Sequence, residues 1–140
     1  MTLAERFEDL EIWKESRRLN VLIYSSLENC RDYSFRDQMR RASLSVMNNI
    51  SEGFERHTPR DFTHFLDLAK GSAGEVRSMS CAAEDLNILP VEITQPIRTD
   101  YETLSRRIAA FQKHLRKYIL CLPSSFLLLT FPPSHFLPSY

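Results

Sequence analysis

The chain has 140 residues, 43% of them hydrophobic and 26% charged, with only three glycines; this is one domain's worth and the composition of a soluble helical protein. No stretch reaches the ~18 consecutive apolar residues that a membrane span needs, so no membrane partner is expected. Eighteen basic residues balance eighteen acidic ones, but unevenly: residues 1–102 hold 13 basic and 18 acidic side chains, and residues 103–140 hold five basic and none acidic.

The first predicted helix runs from about Asp9 to Glu28, with Ile12, Trp13, Leu19, Ile23, Tyr24 and Leu27 at helical spacing. Val21 and Leu22 widen its apolar surface beyond one stripe, which implies a second neighbour. The second helix starts near Phe35 and ends near Arg56, with Phe35, Met39, Ala42, Val46, Asn49, Ile50 and Gly53 along one face. Thr58 as N-cap, Pro59 in the first turn and Asp61 three residues on open the third helix. Phe62, Phe65, Leu66, Ala69, Ala73, Val76, Met79, Ala83 and Leu86 mark its face, and it should stop before Pro90. Ile93, Ile97, Tyr101, Leu104, Ile108, Phe111, Leu115, Tyr118 and Ile119 mark the fourth. Pro96 is expected in its first turn or at its start, and Pro123 ends it.

Long helices with short loops favour antiparallel neighbours. The expected fold is all-α: an antiparallel up-down-up-down four-helix bundle over residues 1–121. An irregular, uncharged Pro/Phe/Leu-rich tail follows over 122–140. A charged N-terminus in place of an apolar signal core indicates no secretion. Three cysteines, Cys30, Cys81 and Cys121, have no metal-type spacing and read as reduced thiols in a cytoplasm.

No catalytic pattern emerges, and no enzyme, metal, cofactor or small-molecule substrate is expected. Lys70-Gly71-Ser72-Ala73-Gly74 lacks the order of a phosphate-binding loop and falls inside a helix. Gly71, Ala73 and Gly74 read instead as places where another helix comes close. Asp61 and His64 stand three apart, with His57 just before, but no second such motif is present to complete a two-metal bundle site.

Two polar constellations remain. On the second helix Arg41, Ser45, Asn48, Glu52 and Arg56 lie on one line, and Glu52 and Arg56 can pair at i, i+4. Asn49 on the core stripe needs hydrogen-bond partners and can fix helix register. Ser72 is another polar residue where a plain bundle would be apolar, and Glu75 can meet Arg41 or Arg56. Arg41, Ser45, Asn49, Glu52, Arg56, Ser72 and Glu75 are thus read as an interhelix polar network, the alternative being a ligand or RNA contact. The second constellation is Arg106, Arg107, Lys113, Arg116 and Lys117 on the fourth helix. Up-down packing sets it beside the acidic start of the first helix (Glu5, Glu8, Asp9, Glu11, Glu15). The cluster therefore either pairs within the chain or offers a phosphate-binding patch, with Arg40 and Arg41 as further candidates.

The run RRASLSVMNNISEGFER followed by DFTHFLDLAKGSAGEV resembles the four-helix-bundle family of proteins encoded in intervening sequences of bacterial large-subunit ribosomal RNA genes. Arg41, Ala42, Ser45, Asn49, Ile50, Glu52, Gly53, Arg56, Phe62, Phe65, Leu66, Ala69, Gly71, Ser72 and Glu75 carry the resemblance, which extends from about Phe7 to Leu120. It implies an up-down-up-down bundle that assembles as a cyclic homopentamer. The family is also similar to the accessory protein of diversity-generating retroelements, a basic barrel that binds nucleic acid and a reverse transcriptase. That activity goes with strong positive charge. In a neutral chain the electrostatic contribution must come from a local patch such as the end of the fourth helix. The expected role is a non-enzymatic homo-oligomeric interaction or assembly protein; the alternative is an RNA-binding accessory protein.

Overall fold

The computed structural model describes residues 4–56 and 58–121. The tail expected over 122–140, Pro123 within it, and His57 lie outside the described residues, as do the side chains of Tyr118 and Cys121. A single 3-10 turn, Phe7–Asp9, precedes four helices: α1 (Glu11–Ser26), α2 (Tyr33–Glu55), α3 (Pro59–Asp85) and α4 (Val91–Cys121). Each helix packs against its two neighbours in a ring, α1–α2–α3–α4–α1, so α1 faces α3 and α2 faces α4 across the diagonals. This is the antiparallel up-down-up-down bundle.

The helix starts follow local chemistry. Asp32 caps α2 by accepting from the Phe35 N–H at 3.0 Å, so that helix begins two residues before Phe35. Thr58 Oγ1 accepts from the Asp61 N–H at 3.0 Å and donates to Asp61 Oδ2 at 2.8 Å, while Pro59 needs no N–H partner in the first turn. Asn87 closes α3 at φ 53°, a left-handed conformation that asparagine tolerates better than most residues. The α4 start departs from expectation. Helix α4 begins at Val91, where the Pro90 carbonyl accepts from the N–H groups of Ile93 and Thr94. Pro96 therefore sits in the second turn, on an exposed position where its ring faces solvent.

The core is one cluster. Ile12, Leu19, Ile23 and Leu27 meet Met39, Val46 and Ile50 of α2, Phe62, Leu66, Ala69, Ala73 and Val76 of α3, and Ile97, Leu104, Ile108, Phe111 and Leu115 of α4. Three rings form an edge-to-face chain across one layer: Phe54–Phe62 at 6.0 Å and Phe62–Phe111 at 5.4 Å. Gly53 makes that layer possible. A Cβ there would lie 2.7 Å from Phe62 Cδ2 and 2.7 Å from Phe65 Cβ.

The other two glycines correct the sequence reading. A Cβ on Gly71 or Gly74 would meet nothing within 4 Å, so neither allows a close approach inside this bundle. Both lie on the outward side of α3, away from the Leu66–Ala69–Ala73–Val76 stripe. Val21 on α1 is 64% exposed, and Leu86, expected on the α3 core face, is 61% exposed because it caps the helix just past its last turn.

Candidate functional site

Core spacing on α4 dictates where its cations go. Leu104, Ile108, Phe111 and Leu115 recur at four, three and four residues and face inward. Arg106, Arg107, Lys113, Arg116 and Lys117 are consequently exposed. Arg107, Lys113 and Lys117, with Glu11, Ala110 and His114, line a groove of about 540 Å³ along the α1–α4 seam. Arg116 turns to the α3 side and stands 3.8 Å from Asp67, both groups more than half exposed.

Three carboxylates of the acidic start pair with cations outside the α4 cluster, beginning with Glu8 and Arg6 at 2.7 Å. Glu11 pairs with Lys14 at 2.8 Å, Glu15 with Arg18 at 2.7 Å, and Arg18 reaches across to Asp100 at 2.8 Å. The Arg18 guanidinium hydrogen-bonded to Glu15 holds that carboxyl below its usual range, with Arg107 adding a weaker pull. Among the described residues, no carboxylate lies within 4.0 Å of Arg106, Arg107, Lys113 or Lys117.

Arg40 and Arg41 lie apart from the α4 cluster. Arg40 stacks over Tyr24 at 4.7 Å and donates to the Tyr24 carbonyl at 3.0 Å, which ties it to the α1–α2 flank. Its Nε is buried without a hydrogen-bond partner. Arg41 donates to Gln38 Oε1 at 3.3 Å on the side of α2 next to α3. Both stand in the half of the bundle that holds the α1–α2 and α3–α4 connections, whereas Lys113 and Lys117 stand in the other half.

The expected polar network resolves into three rungs along the α2–α3 seam. The middle rung joins Ser45 to Ser72 at 2.9 Å, with Asn49 Nδ2 donating to the Ser45 carbonyl at 2.8 Å and to its Oγ at 3.0 Å. At one end Arg56 pairs with Glu52 at 2.7 Å and lies over the Phe65 ring at 5.0 Å. At the other end Gln38 donates to Glu75 at 2.5 Å. Glu75 thus meets Gln38, which sequence reasoning missed, and touches neither Arg41 nor Arg56.

Deeper polar contacts were also missed. Ser43 bonds the Tyr101 hydroxyl at 2.8 Å and donates to Asn20 Oδ1 at 3.0 Å, tying α1, α2 and α4 together. Burial pushes the Tyr101 hydroxyl up to about 12, opposed by its bond to Ser43. Gln112 is buried and donates to the Thr63 carbonyl at 3.0 Å and to Asp67 Oδ1 at 2.7 Å. The available signal was Ser43 on the edge of an apolar stripe opposite a tyrosine. Periodicity alone does not say that the two will meet.

Of the metal candidates, Asp61 serves the Thr58 cap and His64 lies edge-on to Phe65 at 5.8 Å. Among the described residues no three His, Cys, Asp or Glu side chains cluster to hold a metal ion.

These features define a class: an all-helical up-down-up-down bundle with a polar-laddered α2–α3 seam and a cationic groove on the opposite side. The chain belongs to the 23S rRNA-intervening sequence protein family, whose model matches residues 8–110. That span takes in α1, α2 and α3 whole and α4 as far as Ala110, so Arg106 and Arg107 lie inside it and Lys113, Arg116 and Lys117 beyond it. No curated protein matches the sequence. Among the described residues no helix is long and apolar enough to cross a membrane.

Proposed function

We propose that this chain acts without catalysis, as a homo-oligomeric assembly protein of the cytoplasm, with five copies the number that the family resemblance implies. One observation carries the reading. Of eight large hydrophobic side chains exposed among the described residues, six (Val21, Tyr24, Tyr33, Leu86, Val91 and Ile93) belong to the half of the bundle that holds the α1–α2 and α3–α4 connections. Single exposed apolar residues are ordinary, but a collar of them at one end favours a protein contact. The free thiols of Cys30 and Cys81 fit a reducing compartment. Sedimentation velocity or light scattering tests the proposal: assemblies are expected at micromolar concentration, and a strict monomer rejects it.

The cationic groove favours a second reading, in which the assembly holds a phosphate-rich polymer such as structured RNA. Arg107, Lys113 and Lys117 along one groove, with Arg106 beside it, outnumber the one carboxylate of its lining, Glu11, and none of them has a carboxylate within 4.0 Å among the described residues. Binding of a structured RNA should weaken steeply as salt rises. Absence of binding at low salt removes this reading and leaves the first intact.

A further inference from the structure

Three arginine–aromatic pairs line the flank where α1 meets α2. Arg17 lies over the Trp13 ring at 5.7 Å, Arg40 over Tyr24 at 4.7 Å and Arg36 over Tyr33 at 4.7 Å. Helical spacing sets them in one row. Trp13, Arg17 and Tyr24 fall within ~40° of one another around α1, and Tyr33, Arg36 and Arg40 within ~60° around α2. Ser43, donating to Asn20 at 3.0 Å, and Arg40, donating to the Tyr24 carbonyl at 3.0 Å, hold both sets along a single seam. From Trp13 to Tyr24 and on past Arg40 to Tyr33, the row is ~27 Å long at the helical rise.

The row does more than pack the two helices. Tyr33 is 63% exposed and Tyr24 40% exposed, so a ring with a guanidinium over one face has surface left for a flat partner. Arg40 keeps its Nε buried without an acceptor, a cost that extension of the side chain into water would remove. Its guanidinium is held where it is. Arg17 and Arg40 have no carboxylate within 4.0 Å among the described residues, whereas Arg36 shares its charge with Asp37 at 2.9 Å. At the α1–α2 connection Glu28 and Arg31 offset each other in charge, and Asp32 is taken up by the α2 cap. Two cations therefore remain among the aromatic rings.

We infer that this flank binds single-stranded nucleic acid, with unpaired bases stacking on Tyr24 and Tyr33 and with Arg17 and Arg40 on the phosphates between. A strand of nucleotides offers flat rings and anions in alternation, which is what the row complements. A purely apolar partner would bury Arg17 and Arg40 without an anion, and a duplex keeps the faces of its bases inside its own stack. The inference rests on the nucleic-acid reading above. It adds a site on the other side of α1 from the cationic groove, and a ligand form, the unpaired strand.

Fluorescence titration of the full-length chain with an oligo(A) strand of ~10 nucleotides tests it. The one tryptophan of the chain, Trp13, stands in the row, so binding should quench its emission. An abasic strand of the same length and charge should bind at least ~10-fold more weakly, because it offers nothing to stack. Tyr24→Leu with Tyr33→Leu keeps the apolar surface and removes both rings, and should weaken oligo(A) binding by at least ~10-fold. With two phosphates neutralised, the log–log salt slope should be about −1.4, against about −3.6 for a duplex held by the four α4 cations. Equal binding of oligo(A) and the abasic strand, a comparison that needs no variant, overturns the inference. So does an oligo(A) affinity unchanged by the tyrosine substitutions. A duplex that binds on the steep slope while oligo(A) does not keeps the α4 groove and removes this flank. Failure of both duplex and single strand to bind at low salt rejects the nucleic-acid reading itself.

Discussion

At the α2–α3 seam Gly53 gives up its side chain, Phe62 and Phe65 fill the space, and Ser45, Asn49 and Ser72 bond across what remains. At the α1–α4 seam the helices touch less, and a groove of about 540 Å³ runs between them, lined by cations that are not paired within the described chain. Both seams join antiparallel neighbours of one bundle. The difference lies in who supplies the complementary group. In the first seam the same chain does, and the seam contributes to stability. In the second the chain does so through Arg18 and Asp100, while Lys113 and Lys117 in the groove have no carboxylate within 4.0 Å among the described residues. Mutations should therefore separate the two, with large stability effects at the closed seam and small ones at the open groove.

The largest effect is expected at Gly53. Gly53→Val places branched carbon where a bare Cβ already falls 2.7 Å from two phenylalanine atoms, one of them Phe65 Cβ, which cannot swing away. A loss of ~3 kcal/mol or more in urea unfolding is expected, since overpacking typically costs ~1–3 kcal/mol and no flexible end gives way here. A loss below ~1 kcal/mol would mean that α2 and α3 separate easily, and the contrast between seams would fail.

Tyr101→Phe and Asn49→Ala come next, at ~1 kcal/mol each, the usual net value of one hydrogen bond. Tyr101 also predicts a pH dependence. Its folded-state value of about 12 lies above the ~10 of an exposed tyrosine, so the folded chain keeps a proton that the unfolded chain releases. This contribution is complete below pH ~10 and is lost as the pH rises through that value toward about 12. The difference in unfolding free energy between wild type and Tyr101→Phe should shrink over that window, and a constant difference would argue against burial as the cause.

Gly71→Ala should act in the opposite direction to Gly53→Val. With nothing within 4 Å of the new methyl group, the helix propensity gain of ~0.5–1 kcal/mol should appear as a higher melting temperature. Smallest of all should be Lys113→Ala with Lys117→Ala. Among the described residues neither lysine has a carboxylate within 4.0 Å, so stability should move by less than ~0.5 kcal/mol. A clear stability loss there would show that the groove is structural after all.

Much of this was legible before any coordinates. Residues at threes and fours mark the four helices, because a helix repeats every ~3.6 residues and must bury one stripe. Thr58-Pro59 and the Asp61 cap are local chemistry and appear as expected. The start of α4 was misplaced because Pro96 looks like a first-turn proline. The Pro90 carbonyl captures the N–H groups of Ile93 and Thr94 one turn earlier, and an exposed second-turn proline is accommodated. The three glycines looked alike in sequence and proved different, because glycine records only a missing side chain, not whether a neighbour fills the gap.

The sequence by itself determined the helices, most of their inward stripes (Tyr24, Leu86 and Ile93 are exposed instead), the family and the cationic run on α4, since each depends on local propensity, periodicity or a linear motif. Only the tertiary structure decided which polar groups meet. It joined Ser43 to Tyr101 across the diagonal, gave Glu75 to Gln38, and bound Arg40 to Tyr24 while leaving Lys113 and Lys117 without a carboxylate partner among the described residues. Hydrogen bonds and ion pairs act over a few ångströms, so their partners are set by how four helices rotate and slide against one another, and no spacing along one chain encodes that.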